Sequence, residues 1–250
     1  MTRSFLRFWL VTVAAVAGIA ITASLGRWQL SRASQKEALQ AAIDTQRKAP
    51  ALSARDLEPR ADLVPLLHRP VVLRGTWIAQ HTVFLDNRQM YGRPGFYVLT
   101  PLLLEGADRA VVVQRGWVPR NFVDRTQLPE IATPQGLVEI TGRIANAPPH
   151  LLELGGSDAK GTEGKGASRI RQNLDLAAFR SETGLALADG SVLQTGAGSE
   201  GLLRDWPEVG TGVEKHYGYA FQWFGLCALI AFLYVWFQFI APRRRQRPTT

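Results

Sequence analysis

Residues 8–26 read FWLVTVAAVAGIAITASLG and residues 217–242 read YGYAFQWFGLCALIAFLYVWFQFIAP, two uncharged runs set near the two ends of a 250-residue sequence. As a helix, nineteen residues cover roughly 28 Å, close to the ~30 Å of a bilayer's hydrocarbon core. Either run is long enough to span. The second is rich in Phe, Leu, Trp and Tyr, and its most apolar part lies from Phe221 to Ile240. The first has an alternative reading as a signal peptide, with Arg3 and Arg7 ahead of it and Ile21-Thr22-Ala23 as a cleavage site. Against that, the apolar core of a signal peptide is usually only ~7 to 15 residues.

Charge orients these two runs. Arg3 and Arg7 precede the first, Arg243, Arg244, Arg245 and Arg247 follow the second, and all 21 acidic residues lie between. Basic residues flanking a span stay on the cytoplasmic side. The expected architecture is thus an α+β membrane protein: a cytoplasmic N-terminus (1–7), a transmembrane helix (8–26), a β-rich periplasmic domain (27–215), a second transmembrane helix (217–240) and a cytoplasmic basic tail (241–250). From Arg27 to Pro242 the chain carries 23 basic against 21 acidic residues, so the pI near 10.1 comes mainly from the ends. A nucleic-acid partner, which needs basic charge clustered on a folded domain, is excluded, and membrane lipid is the partner the ends fit. The single cysteine, Cys227, lies in the second run, so the outer domain has no disulfide. A cysteine-free exported domain suits a bacterial periplasm, and hence the bacterial inner membrane.

Between the spans, residues 27–49 (RWQLSRASQKEALQAAIDTQRKA) keep helical periodicity until Pro50, and a short helix is expected between there and Arg69. The texture then changes to β-branched and aromatic runs punctuated by turn residues: VVLRGTWIA, HTVFLDNR, GFYVLTPLLLE, RAVVVQRGWV and GLVEITGRIA. These predict an antiparallel sheet closed into a barrel or folded as a sandwich, with Val72, Leu73, Trp77, Phe84, Val98, Val112 and Trp117 in its core. Residues 155–168 (GGSDAKGTEGKGAS) read as a flexible loop. A short helix, LDLAAFRSETG, stopping at Gly184, and a strand through Ser191–Thr195 follow.

Enzyme motifs are wanting. Gly164-Lys165 is followed by Gly166, which breaks the phosphate-loop pattern, and there is no G-x-S-x-G, H-E-x-x-H or C-x-x-C. His68, His81, His150 and His216 stand too far apart in sequence to form a local metal pair.

Four clusters remain. LGRWQLSR (25–32) closes the first span. LDNR (85–88) leads to YGRPGFYVLTP (91–101), where Asp86-Asn87 is suited to a hairpin turn. VVVQRGWVPR (111–120) ends a strand, and EKHYGYAFQWF (214–224) enters the second span. In this order and topology the four resemble the surfeit locus protein 1 family, the assembly factors of cytochrome c oxidase. The resemblance is carried by Leu25, Gly26, Trp28, Gln29, Arg32 and Lys36; by Asp86, Asn87, Arg88, Gly92 and Gly95; by Arg115, Gly116, Trp117 and Pro119; and by His216, Tyr219, Ala220, Gln222, Trp223 and Phe224. Gln114, Glu214 and Lys215 stand where the family usually has Asn.

The resemblance implies an assembly role without a catalysed reaction: delivery of haem a to oxidase subunit I, in company with haem A synthase. It nominates His216 as an axial ligand of the haem iron, Trp223 and Phe224 as ring neighbours, and Arg88 and Arg115 as partners of the haem carboxylates. Three alternatives stay open. His216 and its aromatic neighbours could serve only as an interfacial anchor, the chain could be a scaffold for the synthase and the oxidase subunit that never touches haem, and the outer domain could be an enzyme whose site forms only on folding.

Overall fold

The computed structural model describes residues 3–57, 62–124, 127–148, 151, 169–207 and 212–245. The expected loop 155–168, His150 and Arg247 lie outside these. The chain divides into two compact units, residues 1–42 with 209–250, and residues 43–208.

The first unit is a pair of helices. Helix α1 runs unbroken from Arg3 to Lys48, as the periodicity up to Pro50 predicts. Helix α4 (Val213–Val235) continues through a π turn (Trp236–Ile240) into α5 (Ala241–Arg245). The two long helices are long and apolar enough to cross a membrane. They face each other along a seam of small and polar residues. On α1 the buried positions are Ala15, Thr22, Gly26, Gln29 and Ala33, spaced by three, four or seven residues, so that one stripe faces α4. Small side chains let the two backbones approach, which is how helices associate where burying apolar surface gains nothing. A Cβ on Gly26 would sit 2.8 Å from the Phe224 ring. Further along, Thr12 Oγ1 and Tyr234 Oη are 3.1 Å apart.

The second unit is a β-barrel. Its strands are β1 (Pro70–Trp77), β2 (Val83–Met90), β3 (Arg93–Leu104), β4 (Ala110–Pro119), β5 (Leu137–Ala145), β6 (Ile170–Arg171) and β7 (Leu187–Gln194). Five of them close a ring in the order β1-β5-β7-β4-β3, with β3 returning to β1. β3 is long enough to serve two neighbours on one edge: residues 93–99 pair with β2 and residues 102–104 with β1. Gly75 makes the closure possible, since a Cβ there would lie 2.2 Å from the Leu103 carbonyl oxygen.

The sheet is mixed, which corrects the expectation of an antiparallel one. β7 runs parallel to β4, and the short β6, which the sequence does not signal, runs parallel to β2. β4 is the most buried strand. Val111 and Val113 join Leu73, Trp77, Leu102, Ile140, Ile144 and Val192 in one cluster, while Val112 packs on the other face with Val83, Leu85, Leu99 and Phe179. Phe179 belongs to α3 (Leu176–Thr183), whose Asp175 caps the Ala178 N–H at 2.7 Å and whose end is turned by Gly184 at φ 69°. One expected core residue is outside: Val72 is 37% exposed, because it shares its face of β1 with Arg74 and Thr76, whereas Val71, Leu73 and Trp77 point inward. A short helix, α2 (Ala54–Leu57), precedes the barrel.

Candidate functional site

The structure gathers the four sequence clusters into two places. The first and fourth meet on the helix pair. Gln29, 9% exposed, points its amide at α4, and its Oε1 lies 2.8 Å from His216 Nδ1. An amide oxygen only accepts, so the imidazole Nδ1–H donates. Next to it the Tyr217 hydroxyl donates to Glu37 Oε1 at 2.9 Å. Ala220, one turn beyond His216, is buried against α1, and half-buried Trp223 follows on the same face. Phe224 has its ring on Gly26, so part of it serves the seam rather than an open pocket. Trp28, Arg32, Tyr219 and Gln222 are exposed, and Arg32 Nη1 donates to Gln35 Oε1 at 2.9 Å.

The second and third clusters meet in the barrel. Asp86 and Asn87 do not turn the hairpin; they form a bulge within β2, where the register to β3 slips between Leu85 and Arg88 and Asn87 adopts φ 59°. Asp86 Oδ1 accepts from the Asn87 N–H at 2.7 Å, and Arg120 pairs with the same oxygen at 3.4 Å. The turn itself is Tyr91-Gly92, with φ of 51° and 72°. Beyond the bulge, the Trp117 indole Nε1–H donates to the Arg88 carbonyl at 2.9 Å. Gly95 clears room for that ring, which a Cβ would meet at 2.5 Å. Gly116 likewise lets Leu202 and Leu203 approach, and Pro119 pairs with Gly95.

The two arginines nominated for haem carboxylates are both buried in this unit among its own groups. Arg115 is 0% exposed; its guanidinium donates to Thr133 Oγ1, the Ala132 carbonyl and Glu200 Oε2 at 2.6–2.8 Å and lies over the Trp77 ring at 4.8 Å. Arg88, 5% exposed, donates to the Gln172 carbonyl at 3.0 Å and lies over Tyr97. Burial pushes the Arg88 guanidinium below its ordinary range and the Tyr97 phenol above its own, each partly opposed by the other. Arg204 seals the end of the cluster, donating to the Arg115 and Ala197 carbonyls and to Ser199 Oγ. Burial lowers its pKa, while Glu200 acts in the opposite sense. Beside these groups lies an open hollow of about 490 Å³ whose lining includes Trp77, Glu139, Gln194, Glu200 and Arg204. Among the described residues no set of three or more His, Cys, Asp or Glu is arranged to hold a metal ion.

The sequence model of the SURF1 family matches residues 16–228, from the seam of α1 through the barrel into α4. The chain belongs to the SURF1 family. A SURF1-like protein of Rickettsia felis is 27% identical over 86% of this chain and 91% of its own length. Surfeit locus protein 1 of Rattus norvegicus is 27% identical over 94% of this chain and 76% of its own. A shorter match, 26% identical over 44% of this chain and 29% of the relative, is to the cytochrome oxidase assembly protein SHY1 of Saccharomyces cerevisiae.

Within the SURF1 pattern, sequence reading misses the residues that complete each cluster. Glu200, Arg204 and Tyr97 complete the barrel cluster, and Glu37 the helix pair. Their partners lie far away in sequence, so no local spacing announces them. Gln114, where the family usually has Asn, keeps its amide satisfied: Nε2 donates to Ser191 Oγ at 2.8 Å. Residues 196–201 (GAGSEG) carry the G-x-G-x-x-G spacing, which the reading of the sequence passes over. They follow β7 with no helix behind them and form a turn bridged by Ser199 and Leu202, so the dinucleotide-binding context is missing.

Proposed function

We propose that this chain assists assembly of a cytochrome c oxidase by holding haem a on its helix pair, at the His216 end of α4, while the haem passes to subunit I from haem A synthase. The observation that carries the reading is the imidazole of His216 held at Nδ1 by Gln29, at the end of a helix apolar enough to enter a bilayer. The SURF1 membership and the printed role of the yeast relative support the oxidase as the client. The donor set fits the cargo. Histidine is a common axial ligand of haem iron, and Nε2 of His216 meets no hydrogen-bond partner among the described residues. Trp223 offers an apolar face for the macrocycle. Arg32, exposed on α1 three residues after Gln29, is a guanidinium suited to a propionate.

In this reading both helices span the bacterial inner membrane with the termini in the cytoplasm and the barrel in the periplasm. Arg7 ahead of the first apolar run and Arg243 behind the second support that orientation. The test is to purify the full chain from cells that make haem A and record its absorption spectrum. A haem a band that disappears in His216→Ala, with the yield of folded protein unchanged, is the expected result. A spectrum without haem, or one that His216→Ala leaves intact, overturns the haem-holding reading and favours the scaffold.

A further inference from the structure

We propose that Gln29 is a positioning residue that fixes His216 in its Nδ1–H form and so leaves the Nε2 lone pair as the ring's donor atom; the role in haem holding rests on the reading above. A neutral imidazole has one N–H, and which nitrogen carries it is decided by the partner of the other. The atom facing Nδ1 is an amide oxygen at 2.8 Å, which accepts and cannot donate. The proton is therefore on Nδ1 and the lone pair on Nε2. In free histidine the preference is the reverse, with the proton on Nε2, so a His216 lacking Gln29 would turn a filled N–H outward where a metal needs a lone pair.

Three features of the site support this role over simple packing. Gln29 occupies a seam position whose neighbours, Gly26 and Ala33, are small and apolar, and a leucine would fill the same place without needing a partner. An amide buried there is costly unless it is hydrogen-bonded, and the imidazole is what bonds it. The start of α4 is also held to α1 at a second point, Tyr217 to Glu37, which steadies the backbone that carries the ring. A carbonyl acceptor on the far nitrogen of a metal-binding imidazole raises the basicity of the ligating nitrogen.

The test uses the full chain in lipid nanodiscs, labelled with ¹⁵N-histidine, where the nitrogen shifts report which nitrogen is protonated. The His216 signals are identified by their loss in His216→Ala. The wild-type protein should show Nδ1–H, Gln29→Leu should move the proton to Nε2, and Gln29→Glu, which still accepts, should keep it on Nδ1. Iron protoporphyrin added to the same samples should give a histidine-ligated spectrum whose affinity falls roughly 10- to 100-fold in Gln29→Leu and is retained in Gln29→Glu. A wild-type Nε2–H signal, or a tautomer unmoved by Gln29→Leu, overturns the positioning role. If the wild-type chain shows Nδ1–H and Gln29→Leu moves it, yet no porphyrin iron is taken up, the tautomer lock stands and the haem-holding reading falls alone.

Discussion

Trp117 meets the barrel through both ends of its indole: the ring lies on Gly95, and the N–H closes on the Arg88 carbonyl. Two substitutions separate these contributions. Trp117→Ala should cost roughly 3 to 5 kcal/mol, because the emptied space is fully buried. Trp117→Phe keeps most of the ring but removes the hydrogen bond to the Arg88 carbonyl, which should cost about 0.5 to 1.5 kcal/mol. Urea unfolding followed by circular dichroism measures both, and a Trp117→Phe variant as stable as the wild type would mean that the hydrogen bond contributes nothing. A second residue makes stability depend on pH. His68 is half-buried near Arg47 and Arg143, and burial first, then those two charges, lowers its pKa in the folded state. The unfolded chain therefore takes up the proton first as pH falls. The contribution to stability is complete above the unfolded value of ~6.5 and is lost as pH drops from there through the folded value. The urea midpoint should be level above about pH 7 and decline toward pH 5.5. His68→Asn, which tolerates the φ of 70° at this position, should flatten that part of the decline. At this scale the sequence was legible for Trp117 and Gly95, whose types suit a packed ring. It left Arg88 and Arg115 open between a functional and a structural role, because the distant groups that bury them, such as Glu200, have no local signal.

The helix pair was legible as two elements from composition alone, and the seam between them adds the spacing of Gly26, Gln29 and Ala33. Gly26 is the tightest point. Gly26→Val would drive a branched side chain into the Phe224 ring and should cost about 1 to 3 kcal/mol of overpacking. Adding Phe224→Ala should recover part of that loss. The thermal midpoint in detergent is the measurement, and a midpoint indifferent to Gly26→Val would mean that the helices do not pack along this stripe. In the barrel, most of the strands follow from β-branched and aromatic runs bounded by turn residues, and α3 from the run LDLAAFRSETG and its stop at Gly184. The bulge at Asp86-Asn87 was read as a turn because the same two residue types satisfy either: both tolerate positive φ and bond their own backbone. What decided between them was Tyr91-Gly92 four residues later, a turn whose first residue is not of the usual type. The parallel pairing of β7 had no local signal, since it depends on which of several finished edges the last strand meets.

On the scale of the whole molecule, the boundary between the units at residues 42/43 and 208/209 gives residues 43–208 a core of their own. That fragment should be soluble without detergent and show a β-dominated circular dichroism spectrum with a minor helical part. A helix-dominated spectrum, or a requirement for detergent, would mean that the barrel depends on the helix pair. The sequence made the two-part plan legible, because charge and hydropathy change at the scale of whole segments. It left the strand order hidden, because order is a property of contacts far apart in the chain. That order has a consequence for how the protein is made. β7 is the last strand, yet it sits between β4 and β5, both of which leave the ribosome before it. Until residues 187–194 have been synthesised, β4 and β5 each present an unpaired edge, and unpaired edges recruit other chains. A translation product that stops short of Leu187 therefore has an open ring with two adhesive sides, and the period between the emergence of β5 and of β7 is when the nascent protein most needs a chaperone.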